Sequence, residues 1–445
     1  MKKVITYGTF DLFHQGHYNI LKRAKEYGDY LIVGVTGENY DIGRGKLSVH
    51  DPLAVRIENV MATGFADEII VEEYLGQKIS DITKYNVDTF VIGDDWKGKF
   101  DHLARYCNLV YLERTKGVSS TQIRKEELDN YSIGIITDIP DDNSIVSEAS
   151  KITSFEISGV YSEDKDVAEE FFEKYLSDDA DKDQDRGPIL ADSVGALVET
   201  SDIVYIRCHP EKRYQIAKAV LAEGKHVICD SPCALKKEQM EELYSIAEKN
   251  NVILMDNVKM VHIHVFNQLL WMTQGGLIGD ILSIQCSISR NDRSRKNIFY
   301  DLLVQALCPS IKILGTDFDG LDIRMMKDSD GIEFASLDFE YGETRVVLSV
   351  GNKVRVRNQL EIIGSMGTIK IDGNWWRGNY FELDTPDIDN VEIYNTNYSG
   401  NGFKYLLKTM STMLSNGRID STGLFRDESV KIVEIAEKVR EMEEQ

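Results

Sequence analysis

What this chain lacks narrows its class first. Its six cysteines (Cys107, Cys208, Cys229, Cys233, Cys286 and Cys308) form no C-x-x-C pair, so reduced thiols are expected in place of a zinc site or a disulfide framework. No apolar run reaches the length of a bilayer, and Met1-Lys2-Lys3 leads straight into a strand pattern instead of a signal-type apolar segment. A cytoplasmic protein with no membrane partner is expected. Positive charge is scarce: 51 Lys and Arg stand against 74 Asp and Glu, a net charge of −23. The deficit is uneven, because residues 1–130 hold 17 basic and 20 acidic side chains and are close to balance. The strongly acidic remainder would repel nucleic acid and anionic lipid, so neither is expected as a partner. No internal repeat is present.

What remains is ordinary globular material: 445 residues, 42% hydrophobic and 28% charged, enough for two or three domains. The most informative stretch is Tyr7-Gly8-Thr9-Phe10-Asp11-Leu12-Phe13-His14-Gln15-Gly16-His17. It follows the short buried strand pattern Lys3-Val4-Ile5-Thr6 and precedes apolar residues at helical spacing (Ile20, Leu21, Ala24, Tyr27). The segment is therefore the turn from a first strand into a first helix. Free backbone N–H groups and the helix dipole favour an anion there, and Gly8 and Gly16 let a phosphate approach the main chain. His14 and His17, three positions apart, can both donate to charge that develops on a phosphorus centre during displacement.

Further along, Asp29 to Val35 reads as a second buried parallel strand, followed by a glycine-rich loop carrying Arg44 and Lys46, cations suited to clamping phosphates. Arg56 is read as opening the next helix, where a cation is unusual, and so as a further phosphate contact. Strands at 66–71, 89–92 and 109–112 alternate with a helix from Ile79 to Tyr85, which predicts a parallel sheet wound with helices. Gly93-Asp94-Asp95-Trp96 then falls at a strand carboxyl end, where open α/β sheets bind ligands. Trp96 offers a face for a base, and the aspartates can accept from an amine or hydroxyl. Arg114-Thr115-Lys116-Gly117-Val118-Ser119-Ser120-Thr121 combines cations, a glycine and hydroxyls before a helix, a second anion site.

The order of strand, Gly-Thr-Phe-Asp, HxGH and helix resembles the nucleotidyltransferase superfamily. With the GDDW turn and the RTKGVSS segment, the first 127 or so residues closely resemble the glycerol-3-phosphate cytidylyltransferases. The resemblance implies transfer of CMP from CTP to a polyol phosphate, with Mg²⁺ and release of pyrophosphate. It implies that His14 and His17 stabilise the transition state, that Lys46 and Arg114 hold phosphate or base, and that Ser119, Ser120 and Thr121 lie near the β- and γ-phosphates. Gly8, Thr9, Phe10, Gly16, Asp94 and Trp96 complete the candidate nucleotide site, and Arg44, Arg56 and Asp11 the candidate substrate contacts. The Mg²⁺ ligands are not assigned, since the triphosphate itself can supply oxygens. Gln15 inside HxGH and the rewritten Gly43-Arg44-Gly45-Lys46 loop depart from the family and bear on the choice of acceptor. A product of the CDP-glycerol type would feed wall or capsule polymers.

From Ser132 onward the chain resembles the Gfo/Idh/MocA oxidoreductases, through Asp202 to Ile206, Ala219 to Cys229 and Leu360 to Ile369. The expected architecture is a cytidylyltransferase domain at 1–128, a second Rossmann-like domain at 129–255, and an α+β domain with a broad, mostly antiparallel sheet at 256–445. The chemical positions of that family are changed. Thr137-Asp138-Ile139-Pro140-Asp141-Asp142 stands where a dinucleotide fingerprint has glycines. Its Glu-Lys-Pro appears as Asp230-Ser231-Pro232, and glutamine replaces histidine at Gln305 on the segment Asp301 to Cys308. No hydride transfer is expected in this half, and NAD(P) is doubtful. The alternative is a working NAD(P)H-dependent reductase that makes the polyol phosphate, with Lys259, His262 and His264 left for acid–base work. The Asp-rich stretch 177–185 reads as a solvated loop, Trp375-Trp376 as cover for a sheet face or an oligomer contact, and Phe425 to Glu444 as a helix packed on the core. A homodimer or higher homo-oligomer is expected.

Overall fold

A computed structural model describes every residue except 38–48, 50, 74–75, 114–129, 140–143, 153, 181–186, 291–297, 330, 387–390, 396–399, 416, 422 and 445. The chain divides into two compact units, Met1–Asn130 and Tyr131–Gln445.

In the first unit, near-continuous apolar runs form strands β1 (Lys3–Gly8), β2 (Tyr30–Thr36), β3 (Glu68–Glu72), β4 (Thr89–Gly93) and β5 (Asn108–Leu112). Val4, Ile5, Leu31, Ile32, Val33, Phe90 and Val91 have no exposed surface, as strands of a parallel sheet covered on both faces require. Each contributes roughly 1.5–3 kcal/mol of burial. Helices α1 (Gln15–Lys25), α2 (Leu53–Ala62) and α3 (Gln77–Tyr85) lie among the connections. The strand order is β3-β2-β1-β4-β5, all parallel. The winding therefore reverses between β1 and β4, and the carboxyl ends of those two strands border the crevice where such sheets take ligands.

The second unit begins with another parallel sheet, ordered β11-β10-β9-β6-β7-β8. Its strands are β6 (Tyr131–Thr137), β7 (Phe155–Tyr161), β8 (Ile189–Leu190), β9 (Ile203–Arg207), β10 (His226–Cys229) and β11 (Leu254–Asp256). Here the reversal falls between β6 and β9. An eight-stranded sheet follows: β12 (Ile281–Ser289), β13 (Gly320–Asp328), β14 (Gly331–Tyr341), β15 (Thr344–Gly351), β16 (Gln359–Gly364), β17 (Gly367–Asp372), β18 (Tyr380–Asp384) and β19 (Glu392–Asn395). Its order is β13-β14-β15-β12-β16-β17-β18-β19, antiparallel except for β12 against β15. The α/β class, the two Rossmann-like sheets and the broad, mostly antiparallel third sheet are as the sequence led us to expect.

The apolar helix Phe299–Leu314 packs in the core with the inner faces of β12, β14 and β15. The last helix, Arg426–Glu443, returns to the parallel sheet, where Ser429 Oγ donates to Asp256 Oδ2 at 2.5 Å. Trp375 and Trp376 are both buried, and Trp375 Nε1 donates to the Ser287 carbonyl at 2.9 Å, so the pair serves packing within the unit. Among the described residues no helix is long and apolar enough to cross a membrane.

Candidate active site

The turn between β1 and α1 is where the first unit stores its backbone strain. Phe10 and Leu12 adopt φ of 53° and 46°, left-handed values costing an L residue roughly 1–2 kcal/mol each. Gly8 is needed because Phe10 folds back over it: a Cβ there would meet the Phe10 ring at 2.9 Å. His14 caps α1 from an extended conformation, and its Nδ1 accepts from the Gly16 amide at 3.0 Å. In the neutral ring that bond leaves the proton on Nε2, as a donor directed away from the cap. The His14 and His17 rings stack with centroids 3.9 Å apart and planes 18° from parallel, and Phe10 and Phe13 each lie 5.5 Å from His17. No acidic residue occupies the first turn of α1, so no side chain within that turn opposes the positive end of its dipole.

Behind the imidazoles is a polar brace. Arg56 does not open α2 but lies one turn inside it, fully buried. Its Nε donates to the Asp51 carbonyl at 2.9 Å, and its Nη1 to the carbonyls of Thr9 (2.9 Å) and Thr36 (2.8 Å). With no exposed face, it holds three chain segments together at the strand ends. Asp11 is also buried, and its Oδ1 accepts from the Asp51 amide at 2.8 Å while Asp51 Oδ2 accepts from the Leu12 amide at 3.0 Å. Asp11 and Asp51 thus form a reciprocal clasp. Asp51 went unread in the sequence because its partners lie about forty residues away.

Gly93 to Trp96 leave β4, next to β1 in the sheet, as a short 3-10 turn. A Cβ on Gly93 would lie 4.0 Å from Ile20 on α1, so the turn runs beside that helix. Trp96 is 38% exposed, tilted against Phe100 at 5.6 Å, with Lys99 5.0 Å over its ring, which leaves a face for a base. Asp94 is half-buried in the same turn. On this side a second cluster escaped the sequence reading. Tyr7 Oη donates to Asp81 at 2.8 Å, Lys78 forms a buried ion pair with Glu72, and Lys78 Nζ lies 4.5 Å over the Tyr7 ring. Burial, then the Asp81 carboxylate, push the Tyr7 phenol well above its ordinary range. The signal was there: Gln77, Lys78 and Asp81 share the buried side of α3 with Ile82. Arg44, Lys46, Arg114, Ser119, Ser120 and Thr121 lie outside the described residues. Thus Gly8, Thr9, Phe10, Gly16, His14 and His17 are gathered at one turn, with Asp94 and Trp96 on the adjacent strand end.

In the second unit, Asp138 follows β6 at the corresponding reversal point. Asp138 Oδ2 accepts from the His209 amide at 2.9 Å, and the Asp138 amide donates to the Arg207 carbonyl at 3.3 Å. The loop 140–143 lies outside the described residues. Gln305 Nε2 donates to the Asp301 carbonyl one turn back, and Asp301 pairs with Arg213 at 3.4 Å. His262 is packed against Thr409 (3.0 Å), and burial, then Lys312, push it down to about 4, so it is neutral. Burial also lowers His264, which lies edge-on to Trp271.

A parallel sheet open at its reversal point, with paired imidazoles at a helix entrance, is the arrangement of a nucleotidyltransferase. The cytidylyltransferase-like family model matches residues 5–126. Glycerol-3-phosphate cytidylyltransferases of Bacillus spizizenii and Bacillus subtilis are 54% and 46% identical over 126 and 128 residues, 28% of this chain and 97% of each relative. Through its first unit, the chain belongs to the cytidylyltransferase family. Residues 143–258 match the model of an oxidoreductase family with an NAD-binding Rossmann fold. The trans-1,2-dihydrobenzene-1,2-diol dehydrogenase of Xenopus laevis is 24% identical over 260 residues, 54% of this chain and 78% of that protein. A 3-ketoreductase from Actinomadura kijaniata, solved with NADP and TDP-benzene, superposes with a TM-score of 0.59 at 19% identity over 70% of this chain and 98% of that one, a likeness of fold.

Proposed function

We propose that the first unit transfers CMP from CTP to glycerol 3-phosphate or a related polyol phosphate. A phosphate oxygen of the acceptor attacks the α-phosphorus in line; the new O–P bond forms as the bond to the β-phosphate oxygen breaks, and pyrophosphate leaves. No covalent enzyme intermediate is needed. The observation that carries this reading is the stacked His14–His17 pair at the entrance of α1, with the Gly16 amide fixing the His14 tautomer. In this reading the two rings donate to charge on the phosphates as it develops, Trp96 stacks on the cytosine, and Asp94 accepts from the nucleoside. Lys46, Arg44, Arg114, Ser119, Ser120 and Thr121 hold the phosphates. Arg56, Asp11 and Asp51 are positioning residues that keep Thr9, Phe10 and Leu12 in place.

Among the described residues no group of three or more His, Cys, Asp or Glu side chains can hold a metal ion. Mg²⁺ would then ride on the triphosphate oxygens, where it neutralises phosphate charge. We further infer that the second unit performs no hydride transfer by its family's route, because Gln305, held to the Asp301 carbonyl one turn back, stands in place of an acid–base group. The competing reading, a reductase that supplies the acceptor, draws on the NADP-bound relatives of the fold. Incubating the full chain with CTP and a panel of glycerol, ribitol and hexitol phosphates, with mass analysis of products, tests the main reading. A CDP-polyol from at least one acceptor is expected; CTP left intact with every acceptor would remove it.

A further inference from the structure

In the eight-stranded sheet, Cys286, Ile288, Ile369 and Ile371 share one core with the helix Phe299–Leu314. Side chains alternate along a strand, so Ser287, Ser289, Lys370 and Asp372 stand on the opposite face, away from that helix and from Gln305 on it. On this face the chain between β15 and β16 folds back over the end of β12. Ser289 Oγ accepts from the Val356 amide at 3.1 Å and donates to the Val356 carbonyl at 3.0 Å. The Ser289 amide donates to Asn358 Oδ1 at 2.7 Å, and Ser287 Oγ to the Arg357 carbonyl at 2.5 Å. A Cβ on Gly351 would meet the Val354 carbonyl oxygen at 2.2 Å, so the fold-back requires glycine there.

These bonds build a cavity of about 600 Å³ in which Arg355, Arg357 and Asp372 come together beside Ser289 and Asn358, a volume typical of small-molecule sites. Its polar groups are unevenly satisfied. Asp372 Oδ2 accepts from Arg357 Nη2 at 3.3 Å and pairs with Lys370 at 3.1 Å. Asp372 Oδ1 is buried with no hydrogen-bond partner among the described residues. Arg355 is exposed and forms no hydrogen bond or ion pair among them.

The described lining therefore sets two guanidinia against one carboxylate, in a unit whose overall charge is strongly negative. Residues 291–297, next in sequence after β12, hold Arg293, Arg295 and Lys296 against Asp292 and add no net acid. Guanidinium forks match phosphate oxygens, and a buried carboxylate oxygen without a donor calls for a hydroxyl. The described lining has no aromatic face for a base. We propose that this cavity binds a hydroxyl-bearing phosphate ester without a nucleobase, its phosphate held by Arg355 and Arg357 and one hydroxyl donating to Asp372 Oδ1. A free polyol phosphate and a phosphodiester-linked polyol share this chemistry. The site stands apart from cytidylyl transfer and from the crevice of the second unit's parallel sheet.

The test is calorimetric titration of the full chain with sn-glycerol 3-phosphate, glycerophosphoglycerol, inorganic phosphate and glycerol, in wild type and in an Arg355→Gln, Arg357→Gln double variant. The double variant is expected to weaken one class of ester sites by at least about tenfold, the loss of one charge-assisted hydrogen bond. Its melting temperature and its pyrophosphate release from CTP should stay at wild-type values, which separates this site from the acceptor contacts of the first unit. Should the first unit transfer nothing, the same loss of ester binding is still expected. Asp372→Ala is expected to bring ester affinity down toward that of inorganic phosphate. The tighter of the two esters identifies the source. Glycerol binding as tightly as the esters, inorganic phosphate binding as tightly as both, or the double variant titrating like wild type would overturn the proposal. A readout on unaltered protein stands beside it: phenylglyoxal modification of Arg355 and Arg357, followed by mass spectrometry, should slow severalfold with saturating ester, and an unchanged rate would also overturn it.

Discussion

Arg56→Met separates a brace from a ligand contact. The guanidinium is fully buried and donates to three backbone carbonyls, those of Asp51, Thr9 and Thr36. Hydrogen bonds from a charged donor are worth about 1.5–3 kcal/mol each, and losing the donor strands its acceptors. Removing the buried charge returns part of that, leaving a net loss of about 3–5 kcal/mol. At the lower bound, amides of β1 and β2 should exchange with deuterium ~150-fold faster, measured by mass spectrometry on peptides covering Lys3–Gly8 and Tyr30–Thr36. Because Thr9 and the turn carrying His14 would drift, kcat should fall by about 100-fold. Exchange at wild-type rates, with only the KM for CTP raised, would show that Arg56 contacts phosphate after all and would refute the reasoning.

Trp96→Ala should raise the KM for CTP by roughly 5- to 100-fold, the worth of one base–aromatic stack, with kcat within about threefold; a fall in kcat at constant KM in steady-state assays would remove Trp96 from base binding. Gly8→Ala forces a Cβ to 2.9 Å from the Phe10 ring that props His17, so kcat should drop while the CD spectrum is kept, and wild-type turnover would contradict the tight turn. NADPH fluorescence should not respond to the chain at micromolar concentrations, and a saturable response would refute our reading of the second unit.

The sheets were legible because buried parallel strands write themselves as apolar runs, and the His14–His17 turn because glycines and imidazoles at fixed spacing admit few other uses. The bracing partners of Arg56 and Asp11 were not legible: the carbonyls that accept from the guanidinium belong to residues as far as 47 positions away, and Asp51, which clasps Asp11, lies forty positions on. The Tyr7–Asp81 and Lys78–Glu72 cluster was hidden by composition, since polar residues on a short helix read as solvated unless the burial of their side is known.

The central claim is that two stacked imidazoles act on one nucleotide's phosphates. Pyrophosphate release from CTP and sn-glycerol 3-phosphate, measured for wild type, His14→Ala, His17→Ala and the double variant, tests it most directly. Acceptor-dependent release is predicted for wild type, with kcat lowered by about 10²–10³ in each single variant and little further in the double, since the pair acts as a unit. Wild-type rates in both single variants would contradict it.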